Sequence, residues 1–556
     1  MFKECFKCGQ GGLKCQDDYA SLKPSHWWEW RNETHKSRYR VFIKNLLASA
    51  PILDVFHVQF PYAVPMPYRC PTEESCKGGL DSPCENGYEG PLCSVCSSGY
   101  FKQFKACTKC PSKKWIAGQL SIVLVVVLIT LAALAWTSRR KIKRKEEGRL
   151  MDTFFSKLKI VIGFYQVTYG LLDAFSYIKW PGSLESIAKY SGFLQLNVLQ
   201  IAPVHCLFAE MRLDAFGSLF AIMAVNAGVI CFAGIAYGVH RFIILRNHNL
   251  ENDEKSTKIS QSKELVYRNL FFFLYVTFLS TCSKTANVLP LACRKLCRDT
   301  KEELCSKYLK ADYSVSCQGQ KYNHYLIVAY ISTAYMFVLP SAALITIWRQ
   351  RRATSTKEDG ERSQGQASRQ EVISGMGFLF VNYKTCSWYW ELVETARKVI
   401  LTSGLTFLGQ ESRSYIGLAL VITGMYGILF AWVKPMQDTL ENTLMTTSVA
   451  VTVLNLVIGA VSRIPAENIM TGWIGNVTDA HLFKILVFAA NSLVIGLVVG
   501  KTIFTWEIDE KSYAMYIWSN AENARCVFSL ANNFSLNLMA FIRLCQDLVI
   551  YKVVKS

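Results

Sequence analysis

The chain has 556 residues, 51% hydrophobic and 13% aromatic, with a formal net charge of +19 and 20 cysteines. Its apolar share lies so near the roughly 45–50% of soluble domains that the total decides little; the distribution decides, because runs of about 20 apolar residues, enough to cross a bilayer, recur down the chain. The basic residues fall largely in the loops between those runs, as inner-leaflet flanks do, which sets a nucleic-acid-binding patch aside.

The opening MFKECFKCGQGGLKCQDDY has no apolar core and so is not a secretory signal. The first span therefore inserts as a reverse anchor, or Met1 is not the natural start; Cys5-x2-Cys8, which reads like the tail of a cysteine-rich repeat, favours the second. Farther on, LKPSHWWEW places Trp27, Trp28 and Trp30 together. Those rings are expected to pack onto the cysteine module that follows, or to dip towards headgroups.

Two CxxC pairs, Cys93/Cys96 and Cys107/Cys110, have the spacing of a zinc site. What lies beyond them favours another reading. An uncharged run bracketed by Trp115 and Trp136 is followed by the basic stretch Ser138–Lys145, and the positive-inside rule makes that end cytoplasmic and the head extracellular. Cysteines in that compartment pair as disulfides. Disulfides are expected at Cys70, Cys76, Cys84, Cys93, Cys96, Cys107 and Cys110, with the connectivity open and no metal bound. The run GYEGPLCSVCSSGYF, with Gly87 and Gly90 before Cys93 and Gly99-Tyr100 after Cys96, resembles laminin-type (EGF-like) and ephrin-receptor-like cysteine modules. That resemblance implies a small module in which disulfides replace a core.

Nine apolar runs follow, at roughly 115–136, 158–180, 215–239, 265–290, 323–348, 391–408, 413–433, 441–462 and 481–505. Alternating them across the bilayer leaves 181–214, 291–322, 409–412 and 463–480 outside. The sequons at Asn32 and Asn476 then fall outside, as glycosylation sites would, and so does the cluster Cys293, Cys297, Cys305 and Cys317, where further disulfides are expected. The sequon at Asn533 falls inside and is read as chance. One loop runs against the rule: 291–322 carries seven Lys/Arg. Its cysteines outweigh its charges, since folded loops translocate largely regardless of charge. The polar linker within 349–390 reads as disordered. The segment 184–208, broken by Asn197, Gln200 and Pro203, suits the outer leaflet surface, and 526–554 suits the inner one. The remaining cysteines read as small buried apolar groups.

The expected fold is an all-α polytopic membrane bundle of about nine transmembrane helices with a small disulfide-rich extracellular N-terminal domain. Its parts are an extracellular segment over 1–69, the cysteine-rich module over 70–114, a first bundle over 115–348, a cytoplasmic linker over 349–390, a second bundle over 391–505 and a cytoplasmic tail over 506–556.

Ionisable groups at bilayer depth are costly and mark function by default. Asp173 and Lys284 sit at matching depth in the second and fourth runs, so they either pair or snorkel to the outer interface. Glu391, Glu394 and Lys398 recur at i, i+3 and i+7 on one helix face with Arg397 beside them, near the inner end where Lys434, Asp438 and Glu441 also fall. They are candidates for a pore vestibule or gate, or else an ion-pair cluster docking helix ends. Asn226, Asn455 and Asn491 are candidate interhelical hydrogen-bond partners or pore-lining groups. The chain has no Walker loop, GxSxG, HExxH or kinase signature, and its eight histidines lack ligand spacing. No catalytic residue, cofactor or enzymatic activity is expected.

A cysteine module, then KIVIGFYQVTYGLLDAFSYIKWP (Lys159–Pro181), then YKTCSWYWELVETARKVIL (Tyr383–Leu401), is similar to large multi-pass proteins with ephrin-receptor-like cysteine repeats and a TRP-like membrane region. The resemblance covers most of residues 70–505. It implies cation conduction at the plasma membrane, with membrane lipids, ions and an extracellular ligand as partners and a homo-oligomer as the assembly. The chain departs from TRP channels in having nine expected spans where six are usual, and it shows no clear filter sequence, so no pore residue carries over. A cell-surface receptor or adhesion protein is the alternative, and a lipid or solute transporter a further one.

Overall fold

The structure, a computed structural model, describes residues 12–16, 19–48, 60–103, 106–121, 125, 144–175, 178, 180–191, 206, 214–246, 251–298, 305–355, 379, 382–405, 413–462, 485 and 487–497. Two compact units divide the chain, 1–494 and 495–556, and the account below concerns the first.

The N-terminal head is built from short antiparallel pairs: Leu13–Gln16 with Tyr19–Leu22, His26–Trp27 with Tyr68–Arg69, Tyr88–Glu89 with Val95–Cys96, and Tyr100–Gln103 with Ala106–Lys109. Two-stranded pairs of this size are marginal in water, so the covalent staples matter. Cys70–Cys76, Cys84–Cys93 and Cys96–Cys107 close them, and each CxxC pair sends its two thiols to different partners. Among the described residues no group of His, Cys, Asp and Glu could hold a metal. Cys15 is also disulfide-bonded.

Residues 1–69 and 70–114 are expected as separate parts, but where described they form one body. The Leu22 and Gly79 backbones exchange hydrogen bonds at 3.0 Å, Cys70 N–H donates to Ser25 O, and Ser25 N–H donates to Cys76 O. Helix α1 (Glu33–Ala48) packs Tyr39, Phe42 and Ile43 against Phe60. The Tyr39 hydroxyl donates to Ala20 O at 2.7 Å and accepts from Ala20 N–H at 2.9 Å. The three tryptophans face inward: Trp28 is buried and donates to Leu80 O, Trp30 lies against Tyr39, and Trp27 packs on the Cys70, Cys76 and Cys93 cluster. Asn32 is exposed and caps α1, its side-chain oxygen accepting from the Thr34 hydroxyl and His35 N–H. Asn476 lies outside the described residues.

The helices in order are α2 (Arg144–Ala174), α3 (Gly182–Ser191), α4 (Ala215–Arg246), α5 (Asn252–Val288), α6 (Gln320–Ser355), α7 (Trp390–Val399), α8 (Arg413–Val433), α9 (Thr439–Ser462) and α10 (Val487–Leu497). Five are long and apolar enough to cross a membrane: α4, α5, α6 over Gln320–Ile345, α8 over Tyr415–Val433, and α9 over Thr439–Val461. Those five answer five of the nine expected spans. The run 158–180 overlaps α2, whose charged residues keep it below that apolar standard, and the run 391–408 overlaps α7, which at 10 residues is too short to cross. The run 481–505 contains the shorter α10, and most of 115–136 lies outside the described residues, as does the tail 506–556. Helix α6 continues through Ser355 into the expected linker.

Tight hairpins α4/α5 and α8/α9 organise the helical body, with α6 beside α5 and α2 against α5 and α9. Between α5 and α6 a second stapled element intervenes: strands Cys293–Cys297 and Cys305–Leu309 pair antiparallel, closed by Cys293–Cys317 and Cys297–Cys305. The head docks onto it. Tyr68 OH accepts from Cys297 N–H at 2.6 Å, Arg298 pairs with Glu29 at 2.6 Å, and Lys102 donates to Ala311 O at 3.1 Å. Cys110 is disulfide-bonded to Cys206. This corrects the reading of Cys206 as a free apolar group and ties Cys206 to the head. Of the free cysteines, Cys282 is buried but Cys231 and Cys386 are exposed.

Candidate functional site

Helix α7 explains its own orientation. Its sequence WELVETARKV puts Glu391, Glu394, Arg397 and Lys398 on one stripe, and that stripe is the buried one. Four charged side chains are kept from water only because partners reach them from every neighbouring element.

Lys159 of α2 pairs with Glu391 at 2.6 Å, while the hydroxyls of Tyr275 (α5) and Tyr383 donate to the same carboxylate at 2.7 and 2.8 Å. Glu394 takes Arg397 in a two-pronged pair at 2.7 and 2.9 Å and Lys398 at 3.3 Å. Tyr275 links the two halves, since its hydroxyl also accepts from Lys398 Nζ at 3.2 Å. The Arg397 guanidinium lies 4.7 Å from the centre of the Tyr426 ring (α8), and Lys159 Nζ lies 5.1 Å from the centre of the Tyr383 ring. Glu441 at the start of α9 accepts from Asn382 at 2.9 Å, at the edge of the same cluster.

Local backbone features position these groups. Residues 382–384 zip onto the turn after α8: Lys384 N–H donates to Pro435 O and Gln437 N–H to Asn382 O, both at 2.8 Å. That turn exists because Lys434 adopts φ +44° at the helix end and Pro435 cannot continue the helix. On α2, Gly163 and Gly170 lie two turns apart and open a groove. A Cβ on Gly170 would lie 2.6 Å from the Thr402 side chain and 3.4 Å from its Cα, so glycine there lets the segment after α7 come this close, while one on Gly163 would lie 2.5 Å from the flexible end of Lys398. Directly after Val399 the helix widens into a π-turn over Ile400–Gly404, a feature that often accompanies functional sites.

The structure thus brings Glu391, Glu394, Arg397 and Lys398 together and adds four groups that had not been singled out: Lys159, Tyr275, Tyr383 and Tyr426. Only Lys159 left a sequence signal, a cation inside an otherwise apolar run. Three carboxylates face three cations here, which accounts for their burial, yet Arg397 Nη1 and Glu441 Oε2 stay buried without a hydrogen-bond partner.

Asn455 on α9 and Asn491 on α10 form a second buried site and exchange side-chain hydrogen bonds at 2.9 and 3.1 Å. Asn491 Nδ2 also donates to Val487 O, and Tyr165 OH donates to Asn491 O at 3.0 Å. Asn226 of α4 donates to Thr281 of α5 at 3.2 Å. Asp173 and Lys284 are half-buried and interact electrostatically, together with Lys102 of the head, but no ion pair within 4.0 Å joins them. Of the two alternatives, pairing and snorkelling, no direct contact within 4.0 Å is formed, and the presence of Lys102 places Lys284 towards the head.

Fold and sites together define a membrane protein with a disulfide-stapled head. Residues 68–110 match a family model described as a domain of unknown function, DUF7630. That match coincides with the cysteine module. No curated protein and no solved structure matches the chain.

Proposed function

We propose that the chain is a multi-pass plasma-membrane ion channel of TRP-like type, with the head outside, and that the buried charge cluster on α7 is its gate latch. The observation that carries this reading is the convergence of α2, α5, α7 and α8 on the Glu391 and Glu394 cluster. Ionisable groups held at bilayer depth are the usual mark of ion paths and gating elements. A shift of α7 would break the Lys159–Glu391 pair together with the hydrogen bonds of Tyr275 and Tyr383 to Glu391, so the cluster favours two discrete arrangements over graded ones. The π-turn after Val399 supplies a place for that shift. Glu391 and Glu394 are spent on their cations in this arrangement, which suits a latch better than a conducting vestibule.

Patch recording of the full chain tests the reading, with Glu394→Gln and Lys398→Gln in parallel. Currents that appear at lower stimulus in either variant support it. A wild-type chain that reaches the cell surface yet passes no current under voltage, stretch or acidification overturns it. The receptor reading draws on a different observation, the docking of the head onto the α5–α6 connection through Tyr68, Glu29 and Lys102. It becomes the better account if no current is found.

A further inference from the structure

Asp173 and Lys284 stand level on two packed helices without closing on each other. Gln166 of α2 donates to Val276 O of α5 at 2.9 Å, which fixes the register of the two helices. Two turns further along the same face of α2 stands Asp173, about 10.5 Å on, and eight residues further along α5 stands Lys284, about 12 Å on. Carboxylate and ammonium thus come to the same height, where they interact electrostatically. Both residues are half-buried, and among the described residues neither side chain makes a hydrogen bond or an ion pair.

A third charge arrives from the head. Lys102 is exposed and donates to Ala311 O at 3.1 Å, just past the second strand of the stapled hairpin, and its ammonium acts on Lys284 as a like charge. Two cations and one carboxylate therefore gather where the head meets α2 and α5. Ionisable groups left half-buried at this depth without a hydrogen-bonding partner are costly and mark a site by default.

We propose that Asp173, Lys284 and Lys102 form a binding site for a small zwitterion of the acidic amino-acid type, with Asp173 taking its ammonium, Lys284 one carboxylate and Lys102 the other. A simple anion satisfies the lysines and leaves Asp173 unpaired, and a simple cation does the reverse. Only a ligand with two anionic groups and one ammonium pairs all three charges. The phosphatidylserine headgroup offers the same chemistry from a lipid source.

The test uses the full chain in phosphatidylcholine nanodiscs, titrated calorimetrically with glutamate, glutamine, acetate and ethylammonium. Glutamate is expected to bind tightest, glutamine less tightly, and the two singly charged ions least. Asp173→Asn and Lys284→Met should each weaken glutamate by about tenfold or more, the loss of roughly one strong contact. Lys102 is exposed, so Lys102→Ala probes the site without burdening the fold. Glutamine binding should hold in that variant, while the preference for glutamate over glutamine shrinks by about threefold, the worth of one exposed charge pair. A surface control, Lys44→Ala, should change neither. Repeating the glutamate titration with phosphatidylserine in the nanodisc separates the two sources: competition makes the lipid headgroup the occupant, and its absence makes it the free amino acid. Wild type that fails to bind glutamate, acetate bound as tightly as glutamate, or glutamate binding left unchanged by both Asp173→Asn and Lys102→Ala would each overturn the proposal. No current enters the measurement, so this site and the gate latch of α7 stand or fall separately.

Discussion

Lys159 on α2 and Glu391 on α7 form a buried ion pair at 2.6 Å across 232 residues of sequence. The pair is finished rather than isolated, because two tyrosine hydroxyls also donate to Glu391 and the Tyr383 ring lies beside the ammonium. Removing one partner leaves the other charge buried and uncompensated. Lys159→Met or Glu391→Gln alone should therefore cost about 3–5 kcal/mol, and Lys159→Met with Glu391→Leu should recover at least half of it. Denaturant unfolding in bicelles, followed by tryptophan fluorescence, measures all three. A double variant no better than the singles would show that the pair itself is not what the cluster depends on.

The Asn455–Asn491 exchange is neutral and its worth is smaller. Interhelical hydrogen bonds of this type contribute about 0.6 kcal/mol on average and reach roughly 1.7. Asn455→Ala and Asn491→Ala should each fall in that range, and the double variant should cost little more than either, because both singles already break the exchange. Additive losses in the same unfolding assay would contradict the reciprocal geometry.

The Cys110–Cys206 bridge can be read directly. Non-reducing peptide mapping of the full chain should recover these two cysteines in one fragment. Cys110→Ser should leave Cys206 open to a membrane-impermeant maleimide on intact cells. A fragment joining Cys110 to any other cysteine would refute the pairing, and labelling only after permeabilisation would place this end inside.

Tyr39 gives the head a pH limit. Burial pushes its hydroxyl up to about 12, from about 10 in the unfolded chain. A group that holds its proton more tightly when folded stabilises fully below the unfolded value and loses that contribution as pH rises through the folded one. The head should therefore lose about 2–3 kcal/mol between pH 10 and 12. Tyr39→Phe should start lower by about 1–3 kcal/mol, since Ala20 N–H and O lose their buried partner, and it should lack that alkaline limb. Tryptophan fluorescence of the full chain across that range decides it; an unchanged limb in the variant would assign it to another group.

Much of this protein is written locally. Runs of apolar residues announce helices of membrane length because bilayer thickness and helix rise leave little choice, and α4, α5, α6, α8 and α9 stand where those runs fall. The stripe Glu391, Glu394, Arg397 and Lys398 follows from helical period alone, and the disulfide character of the head from clustered cysteines beside a long apolar run. What none of these could supply is which distant partner each group meets. Lys159 reaches Glu391, Cys110 reaches Cys206, and Tyr68 reaches Cys297 only because the packed helices and the docked hairpin bring them within bonding distance, and proximity in space is not encoded by spacing along the chain. Tertiary structure likewise decided that Asp173 and Lys284 stop short of contact and that the described residues before Cys70 join the cysteine module as one head. The physical reason is the same throughout: periodicity and composition act over a few residues, whereas pairing, burial and register depend on the faces that separate elements present to each other once packed.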